Sequence, residues 1–412
     1  MTASKSLRIP ISIAGDGESY SCLLFVGSRR VPAYATLDTG SSTLAIAPSV
    51  YNPAADDHAK PTDLAQYVSY DDNTGWFGPV VRTNITLGNA DSNITLTSAP
   101  IAVTDIETKD NFVGSVDGII GLAYYALNDA YKFPSPTYPW PFPSAAYRNA
   151  LQKFHHYIKS EKIPTTYIDP YFNSLEQHGL TMNKFAFYTL RSYVHRASNN
   201  RTAIDHDPLN SGIFVLGGGE RETDLFTGSF ARVKVYHDVY YNTNLVSTQV
   251  EGCAEVPAKP LQPEYRPGTY TNSIIDSGTN ILSLAYDVFQ SVISNLEHLN
   301  ATFGSLIRLD ASTDDGVPME HLHLSKWPDI HFFLTGADGK PVRLTCAPST
   351  YWQINYPTPG YATFQIAQET TESQARQSLL GLPLFNNYYT VFDRSEGKGK
   401  GVIGFAKIAA RG

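Results

Sequence analysis

The chain has 412 residues, 42% of them hydrophobic, which is enough to form two separate cores. Its formal net charge of −8 and the lack of a basic run argue against nucleic acid as a partner. No apolar stretch reaches the roughly 18 residues of a transmembrane helix, so we expect no membrane span.

Short apolar runs dominate the first part of the chain. Residues 1–125 alternate apolar and polar positions, for example in Ile9–Ile13, Ser21–Val26 and Asn84–Leu87, with Gly, Asn and Asp between the runs. Such alternation is typical of strands that bury one face. The 26 Tyr and 20 Phe also favour strands over long helices. We therefore predict a first lobe made of strands.

Residues 126–164 differ from this pattern and are predicted to be an insertion. Phe133–Pro143 is rich in proline and aromatic residues, and Ser144–Lys159 shows helical spacing with Ser144 as the N-cap. A packed surface insertion is the first interpretation, and a binding role is the alternative. A second helix is predicted at Pro170–Gln177.

The pattern of strands returns after residue 184, and we predict lobe boundaries of 1–190 and 191–412. Ser198–Asn210 is polar and is predicted to be an exposed loop at the lobe junction. A helix is predicted at Tyr286–Leu296. The strands expected in this part are Phe185–Leu190, Gly212–Leu216, Tyr388–Phe392 and Gly401–Phe405.

Two similar pentapeptides lie half a chain apart. Asp38-Thr-Gly-Ser-Ser42 is matched by Asp276-Ser-Gly-Thr-Asn280, and each follows a short apolar run. One match is a weak signal, but two indicate an internal duplication that builds one site from two halves. Two carboxylates that face each other at about 3 Å cannot both ionise, so they share a proton. One then serves as a general base toward a water molecule and the other as an acid.

The neighbours of each aspartate suit this chemistry. Gly40 and Gly278 allow the backbone and a substrate to approach closely. Each glycine is flanked by two hydroxyl side chains, which are Thr39, Ser41, Ser277 and Thr279. The hydroxyl after the glycine can donate a hydrogen bond to the outer carboxylate oxygen and fix its plane. The hydroxyl before the glycine can tie the two loops together through backbone bonds.

At this point the chain resembles the pepsin-like aspartic peptidases along nearly its whole length. Val116–Tyr124, which contains Ile119-Ile-Gly121, is similar to the family segment that passes under the first aspartate loop. The counterpart in the second half is Leu379-Leu-Gly381, followed by Tyr389–Arg394. Such paired apolar-apolar-Gly segments are specific to the family.

The resemblance implies an all-β, bilobal fold with the active-site cleft between two related lobes. It also implies an aspartic endopeptidase that uses Asp38 and Asp276 to cleave between large apolar residues at acidic pH, with sensitivity to pepstatin. The implied substrate is a peptide or protein, the enzyme is a monomer, and neither a metal nor an organic cofactor is needed.

The family covers its cleft with a hairpin flap that carries a tyrosine, and Tyr70 is similar to that residue. By family position, Phe112 and Ile119 line the substrate pocket beside it. Pepsin has a tryptophan seven residues after the first aspartate, whereas this chain has Ala45, as memapsin-like members do. Trp76, on the flap, is expected to take over that packing.

Three cysteines, Cys22, Cys253 and Cys346, allow at most one bridge and favour a reducing compartment. The first residues lack the apolar region of a secretory signal, so we expect a cytoplasmic protein. The alternative is a secreted or periplasmic protein from which upstream segments, including a prosegment, have been removed. The lack of a prosegment and of disulfides resembles the bacterial pepsin homologues.

Two further interpretations compete with the enzyme. A pepsin-fold binding or inhibitor protein is the main rival, although such proteins usually lose one aspartate or its glycine. A metal site at His155-His156 or His321-x-His323 is disfavoured, because no carboxylate or cysteine lies at ligand spacing.

Overall fold

The structure, a computed structural model, describes residues 6–15, 17–69, 75–104, 106–107, 116–132, 149, 152–153, 155–156, 165–263, 269–369 and 377–409. The chain divides into two compact units. The first comprises Met1–Ile9 and Ser21–Met182, and the second comprises Pro10–Tyr20 and Asn183–Gly412. The lobe boundaries inferred from the sequence, 1–190 and 191–412, stay a prediction.

Strands form most of the first unit. They are β1 (Leu7–Ser12, whose last three residues belong to the second unit), β2 (Ser21–Val26), β3 (Val31–Asp38), β4 (Leu44–Ile46), β5 (Lys60–Ser69), β6 (Gly75–Gly88), β7 (Asn93–Val103), β8 (Ile106–Glu107), β9 (Gly118–Gly121), β10 (Asp129–Lys132) and β11 (Thr165–Tyr167). Their order in the sheet is β11-β10-β5-β6-β7-β4-β9-β3-β2-β1, with β8 beside β6. Because β2 also pairs with β6, the six strands from β6 to β2 close into a barrel.

The β6–β7 hairpin shows how local sequence sets this sheet. The side chain of Asn89 accepts hydrogen bonds from the amides of Asp91 and Ser92, which closes the turn. The turn sets Leu87 opposite Ile94, and both side chains are buried. The alternating pattern of the sequence therefore corresponds to a barrel wall with one face in the core.

The second unit contains four sets of strands. They are β12 (Lys184–Tyr188), β13 (Ser211–Leu216), β14 (Phe226–Lys234), β15 (His237–Asp238), β16 (Tyr241–Thr243), β17 (Leu245–Val250), β18 (Val256–Pro257), β19 (Ser273–Ile275), β20 (Leu282–Leu284), β21 (Val317–Pro318), β22 (Ile330–Thr335), β23 (Pro341–Cys346), β24 (Trp352–Ile354), β25 (Tyr361–Phe364), β26 (Ile366–Gln368), β27 (Ser378–Leu380), β28 (Tyr388–Asp393) and β29 (Val402–Ile408). The orders are β13-β12-β28-β29-β14, β15-β16-β19-β27-β20-β26, β18-β17-β22-β23 and β21-β25-β24.

Aromatic side chains form much of the core of the second unit. The rings of Phe185 and Phe392 stack with their centroids 4.9 Å apart, and Tyr241 meets Phe392 edge-on at 4.6 Å. The phenylalanines face each other because β12 and β28 pair in register. Part of the high aromatic content of the sequence therefore lies in this core.

The described residues form few complete α-helices. They are α1 (Tyr171–Gln177) in the first unit, and α2 (Arg201–Asp205), α3 (Tyr286–Leu299), α4 (Ala301–Asp310), α5 (Pro348–Tyr351) and α6 (Leu382–Phe385) in the second. Helices α1 and α3 confirm the predictions at Pro170–Gln177 and Tyr286–Leu296, although α3 is three residues longer than expected. Helix α4 was not predicted, and the side chain of Asn300 caps its first turn by accepting from the amide of Thr302.

Most of Ser198–Asn210 is exposed, as predicted, but the segment is not a loop throughout. This segment contains α2, which is capped by the side chain of Asn200 through the amide of Ala203. Ile204 of α2 is buried because it packs against Ala14 and Val194. The polar sequence concealed one apolar anchor whose partner lies almost two hundred residues away.

Of the predicted insertion, only part is described. In the predicted helix Ser144–Lys159, residues 149, 152, 153, 155 and 156 are helical. The proline-rich segment Phe133–Pro143 lies outside the described residues.

Residues 10–20 join the second unit far from the rest of its sequence. The hydroxyl of Tyr20 accepts hydrogen bonds from the amides of Leu190 and Arg191, both at 3.1 Å. The amide of Ile13 donates to the carbonyl oxygen of Asn210 at 3.0 Å. These contacts link the start of the chain to its second half.

The all-β class predicted from the sequence is confirmed, since strands greatly outnumber helical segments. Among the helices that the structure describes, none is both long and apolar enough to cross a bilayer.

Candidate active site

Asp38 lies at the end of a strand that is braced by the first apolar-apolar-Gly segment. Strand β3 pairs in parallel with β9, which places Asp38 opposite Gly121. Strand β4, which follows the aspartate loop, pairs with the other side of β9 and sets Leu44 opposite Ile120. The amide of Leu122 donates to the carbonyl oxygen of Asp38 at 2.6 Å. The segment therefore runs between the two strands that the aspartate loop connects.

Asp276 has the same local surroundings in the second unit. Strand β19 pairs in parallel with β27, with Ile275 opposite Leu380. Strand β20 returns along the other side of β27, with Leu282 opposite the same Leu380. The amide of Asp276 donates to the carbonyl oxygen of Leu380 at 3.2 Å. The duplication seen in the sequence is thus a duplication of topology.

Both bracing segments need their glycine. A Cβ atom on Gly121 would lie 2.5 Å from the backbone of Ser42, inside the first aspartate loop. A Cβ atom on Gly381 would collide with the carbonyl oxygens of Thr279 and Ile281. Because the colliding atoms are backbone, no side-chain rotation would relieve the contact. The glycines allow each segment to lie directly against an aspartate loop.

Each carboxylate is buried and is held by its own loop. Asp38 is 6% exposed and Asp276 is 9% exposed. The amide of Gly40 donates to Asp38 Oδ1 at 2.7 Å, and the amide of Gly278 donates to Asp276 Oδ1 at 2.9 Å. Hydrogen bonds from amides stabilise the ionised form of a carboxyl group. The Asp-x-Gly spacing supplies this donor because the amide lies two residues past the aspartate.

The hydroxyls after the two glycines differ. Thr279 Oγ1 donates to Asp276 Oδ2 at 2.7 Å, as expected. The corresponding hydrogen bond expected from Ser41 to Asp38 is not made, since the buried Ser41 Oγ has no hydrogen-bond partner within the described part of the chain. Threonine is stiff at χ1, whereas the unbranched serine is free to turn its hydroxyl away. The outer oxygen is therefore fixed by this hydroxyl only at Asp276.

The other two hydroxyls of the motifs are also buried. Thr39 is 1% exposed and Ser277 is 3% exposed. Each takes part in interactions with other groups. Their expected role in tying the two loops together stays a prediction.

The predicted substrate-pocket residues are described only in part. Ile119 is half-buried and packs against a cluster that contains Ala45, Trp76 and Ala102. Trp76 is fully buried, and its contact with this cluster confirms the expected packing beside Ala45. The indole Nε1 has no hydrogen-bond partner among the residues that are described. The role of Ile119 in substrate binding stays a prediction.

Two predicted substrate contacts, Tyr70 and Phe112, lie outside the described residues. The strands that flank residues 70–74 are described: β5 and β6 pair antiparallel, with Ser69 opposite Gly75. The strands on either side of residues 70–74 are therefore paired antiparallel neighbours, as the flap assignment requires.

Two further side chains, those of Ser42 and Thr43, hold the first aspartate loop, and neither was predicted to do so. Ser42 Oγ donates to the carbonyl oxygen of Tyr124 at 2.6 Å. Thr43 Oγ1 donates to Asn128 Oδ1 at 3.0 Å. Ser42 belongs to the pentapeptide, which was the available signal. No local pattern marks Asn128.

In the part of the chain that the structure describes, no group of three or more His, Cys, Asp or Glu side chains is arranged to hold a metal ion. The three cysteines, Cys22, Cys253 and Cys346, are all described and none of them forms a disulfide.

These observations define a class of protein: a chain built mainly of strands, with two Asp-x-Gly loops that are each braced by an apolar-apolar-Gly segment. The sequence model of the family described as "Eukaryotic aspartyl protease" matches residues 164–408, which is more than half of the chain. The chain belongs to the eukaryotic aspartyl protease family. The matched residues include Asp276 and its bracing segment, whereas Asp38 lies before them. The family is one of proteases, so peptides or proteins are the implied substrates.

Proposed function

We propose that this protein is an aspartic endopeptidase in which Asp38 and Asp276 act together on one water molecule. The observation that carries the proposal is the repeated arrangement of strand, aspartate loop and bracing segment in the two units. A binding protein would have no need for two loops that each direct an amide to a buried carboxylate. Membership of a protease family supports the same assignment.

The proposed reaction uses one shared proton. The ionised aspartate takes a proton from the water while the water oxygen attacks the scissile carbonyl carbon, and the protonated aspartate gives its proton to the carbonyl oxygen. The resulting tetrahedral intermediate collapses when the C–N bond breaks and the amine leaves with a proton from the dyad. Every proton in this scheme is carried by the two carboxyl groups and water, so the proposal includes no metal or organic cofactor.

We propose that cleavage favours large apolar residues on both sides of the scissile bond. Ile119 is the described residue that supports this preference, because it is half-buried in an apolar cluster. Burial of apolar substrate surface against such a wall is worth about 25 cal/mol per Å². Sequencing of peptide products would test the preference, and a preference for Lys or Arg would contradict it.

An acidic optimum and sensitivity to pepstatin are further parts of the proposal. The hydrogen bond from Thr279 Oγ1 to Asp276 Oδ2 is the described contact from which the acidic optimum is proposed. Ala45 and its contact with Trp76 support the memapsin-like features, and the similarity to bacterial pepsin homologues is proposed alongside them. A monomeric state and a cytoplasmic location stay proposals, which gel filtration and cell fractionation would test.

The decisive experiment compares the wild-type chain with Asp38→Asn and Asp276→Asn. Each would be incubated with a denatured protein between pH 3 and pH 7, with and without pepstatin. We expect either substitution to abolish hydrolysis, because the amide neither shares the proton nor acts as a base. Asp338→Asn, in an exposed turn where the carboxylate accepts only a local amide bond, is the matched control and should retain activity.

Activity within about tenfold of wild type in either dyad variant would refute the assignment. A wild-type chain that binds pepstatin but hydrolyses nothing at any of these pH values would favour the rival interpretation, a silent pepsin-fold binding or inhibitor protein.

A further inference from the structure

A buried amide side chain, Asn128, connects three separate segments of the first unit. It is 3% exposed and lies just before β10. Its Oδ1 accepts hydrogen bonds from Thr43 Oγ1 at 3.0 Å and from Gln66 Nε2 at 2.8 Å. Its Nδ2 donates to the carbonyl oxygen of Ile168 at 2.9 Å. Both ends of the amide are therefore occupied.

Two of these partners belong to elements of the candidate active site. Thr43 ends the loop that Asp38 begins, and its carbonyl oxygen accepts from the amide of Gly121 at 2.8 Å. Gln66 lies in β5, the strand that ends at Ser69 and pairs with β6. Thr43 is 3% exposed and Gln66 is 2% exposed. The side-chain amide of Asn128 thus links the first aspartate loop to β5.

The hydrogen bonds at Asn128 require an amide. Its oxygen receives two donors while its nitrogen serves one acceptor, and no other side chain of this length offers both functions. Aspartate would lose the donor toward Ile168 and would add a buried charge. An apolar residue would leave the Thr43 hydroxyl unpaired in the interior, where an unmet hydrogen bond is unfavourable, and would leave Gln66 Nε2 with its bond to the carbonyl oxygen of Asp129 at 2.9 Å. The aspartate loop or β5 would have to move for these polar groups to find other partners.

On the basis of the proposed function, we propose that Asn128 is a positioning residue for peptide hydrolysis. It holds the loop of Asp38 in place relative to β5, through Thr43 on one side and Gln66 on the other. Asn128 itself touches neither the carboxylate nor, in this proposal, the substrate. Its loss changes the placement of the first aspartate, and this effect is separable from a loss of stability.

The test measures kcat, KM and the pH profile of kcat/KM on an apolar peptide, with active sites counted by a tight pepstatin-type inhibitor. The variants are Thr43→Val, Gln66→Met and Asn128→Ser. We expect kcat to fall about 10- to 100-fold, because a displacement on the order of 1 Å at a catalytic group has effects of this size. We expect KM to change less than about threefold, since binding contacts are retained. The pH profile of kcat/KM should also differ from that of the wild type, because the profile reports on the two aspartates as a pair.

Asn210→Ser is the matched control. Asn210 is also fully buried, and its side chain bonds the amide and carbonyl of His195 and the carbonyl of Ile204, which lie within the second unit and belong to neither aspartate motif. We expect a comparable loss of thermal stability with kcat within about threefold of wild type.

If Thr43→Val and Asn128→Ser lose stability like the control but keep kcat and the pH profile, the positioning role is refuted. Should Asn128→Ser fail to fold, Thr43→Val decides, because it keeps its shape and removes one hydrogen bond. An inactive wild-type chain, or an active Asp38→Asn variant, would overturn the proposed function together with this inference. An active wild-type chain with unaffected Thr43→Val kinetics would overturn this inference alone.

Discussion

Asp310 should make the stability of the second unit depend on pH. It is the last residue of α4 and is half-buried. Its Oδ2 accepts from the amide of Phe364 at 3.1 Å, while the buried Oδ1 has no hydrogen-bond partner among the described residues. Burial raises the pKa of Asp310 to about 6, against the lowering effect of the Phe364 amide. A negative charge at the C-terminal end of a helix is unfavourable as well.

The sign follows from the direction of the shift. Because the pKa of Asp310 is raised in the folded state, the folded protein holds this proton more tightly than the unfolded chain between about pH 4 and pH 6. The contribution of Asp310 to the free energy of unfolding is fully present below the pKa of this group in the unfolded chain. It is lost as the pH rises through about 6, the pKa of Asp310 in the folded protein. A pKa raised by about two corresponds to about 3 kcal/mol in the free energy of unfolding. We reduce this value to roughly 1–2 kcal/mol because the carboxyl group is partly exposed to solvent.

Asp310→Asn copies the protonated acid and removes the titration. We expect it to raise the free energy of unfolding by about 1–2 kcal/mol at pH 7.5 and to change it little at pH 3.5. Urea unfolding, followed by circular dichroism at the two pH values, gives the difference between variant and wild type, so that the other titrating groups cancel. Asp314→Asn, at an exposed position nearby, is the control. Equal effects of Asp310→Asn at both pH values would refute the reasoning.

Two further predictions concern the aspartate loops. Thr279→Val removes the hydroxyl that bonds Asp276 and should lower kcat/KM by roughly 10- to 100-fold, since a hydrogen bond to a charged group is worth about 1.5–3 kcal/mol. Ser41→Ala should leave kcat/KM nearly unchanged, and equal losses in the two variants would contradict the asymmetry. Gly121→Ala should lower kcat about 100-fold by displacing the first aspartate loop. Gly404→Ala, where the nearest atoms belong to a phenylalanine side chain at 3.1 Å, is its control in the same assay, and similar losses in both variants would contradict this account.

The sequence predicted the features that depend on short-range patterns. Alternation placed strands such as β2 and β13, and helical spacing identified α1 and α3. The aspartate loops were equally accessible, because the Asp-x-Gly spacing itself brings the glycine amide to the carboxylate. In each case the information lies within about ten residues of chain.

Features that depend on distant partners were missed. Helix α2 is short and polar, and it is held by the contact of Ile204 with Ala14. The bonds of Asn128 span 85, 62 and 40 residues. The predicted hydrogen bond from Ser41 to Asp38 was wrong for another reason. The spacing of Ser41 from Asp38 equals that of Thr279 from Asp276, but spacing does not determine the rotamer of an unbranched side chain.

The assignment of residues 10–20 to the second unit has a consequence for biosynthesis. Tyr20 and its partner Leu190 are separated by 170 positions. At translation rates of about 5–20 residues per second, the nascent chain needs roughly 10–30 s to extend from one to the other. Throughout this interval the segment from Pro10 to Tyr20 has been synthesised, whereas Leu190 and Arg191, which it will contact, have not. The rest of the first unit, Ser21–Met182, is synthesised within the same interval. The segment from Pro10 to Tyr20 therefore reaches its final contacts only after the strands of the barrel have been synthesised.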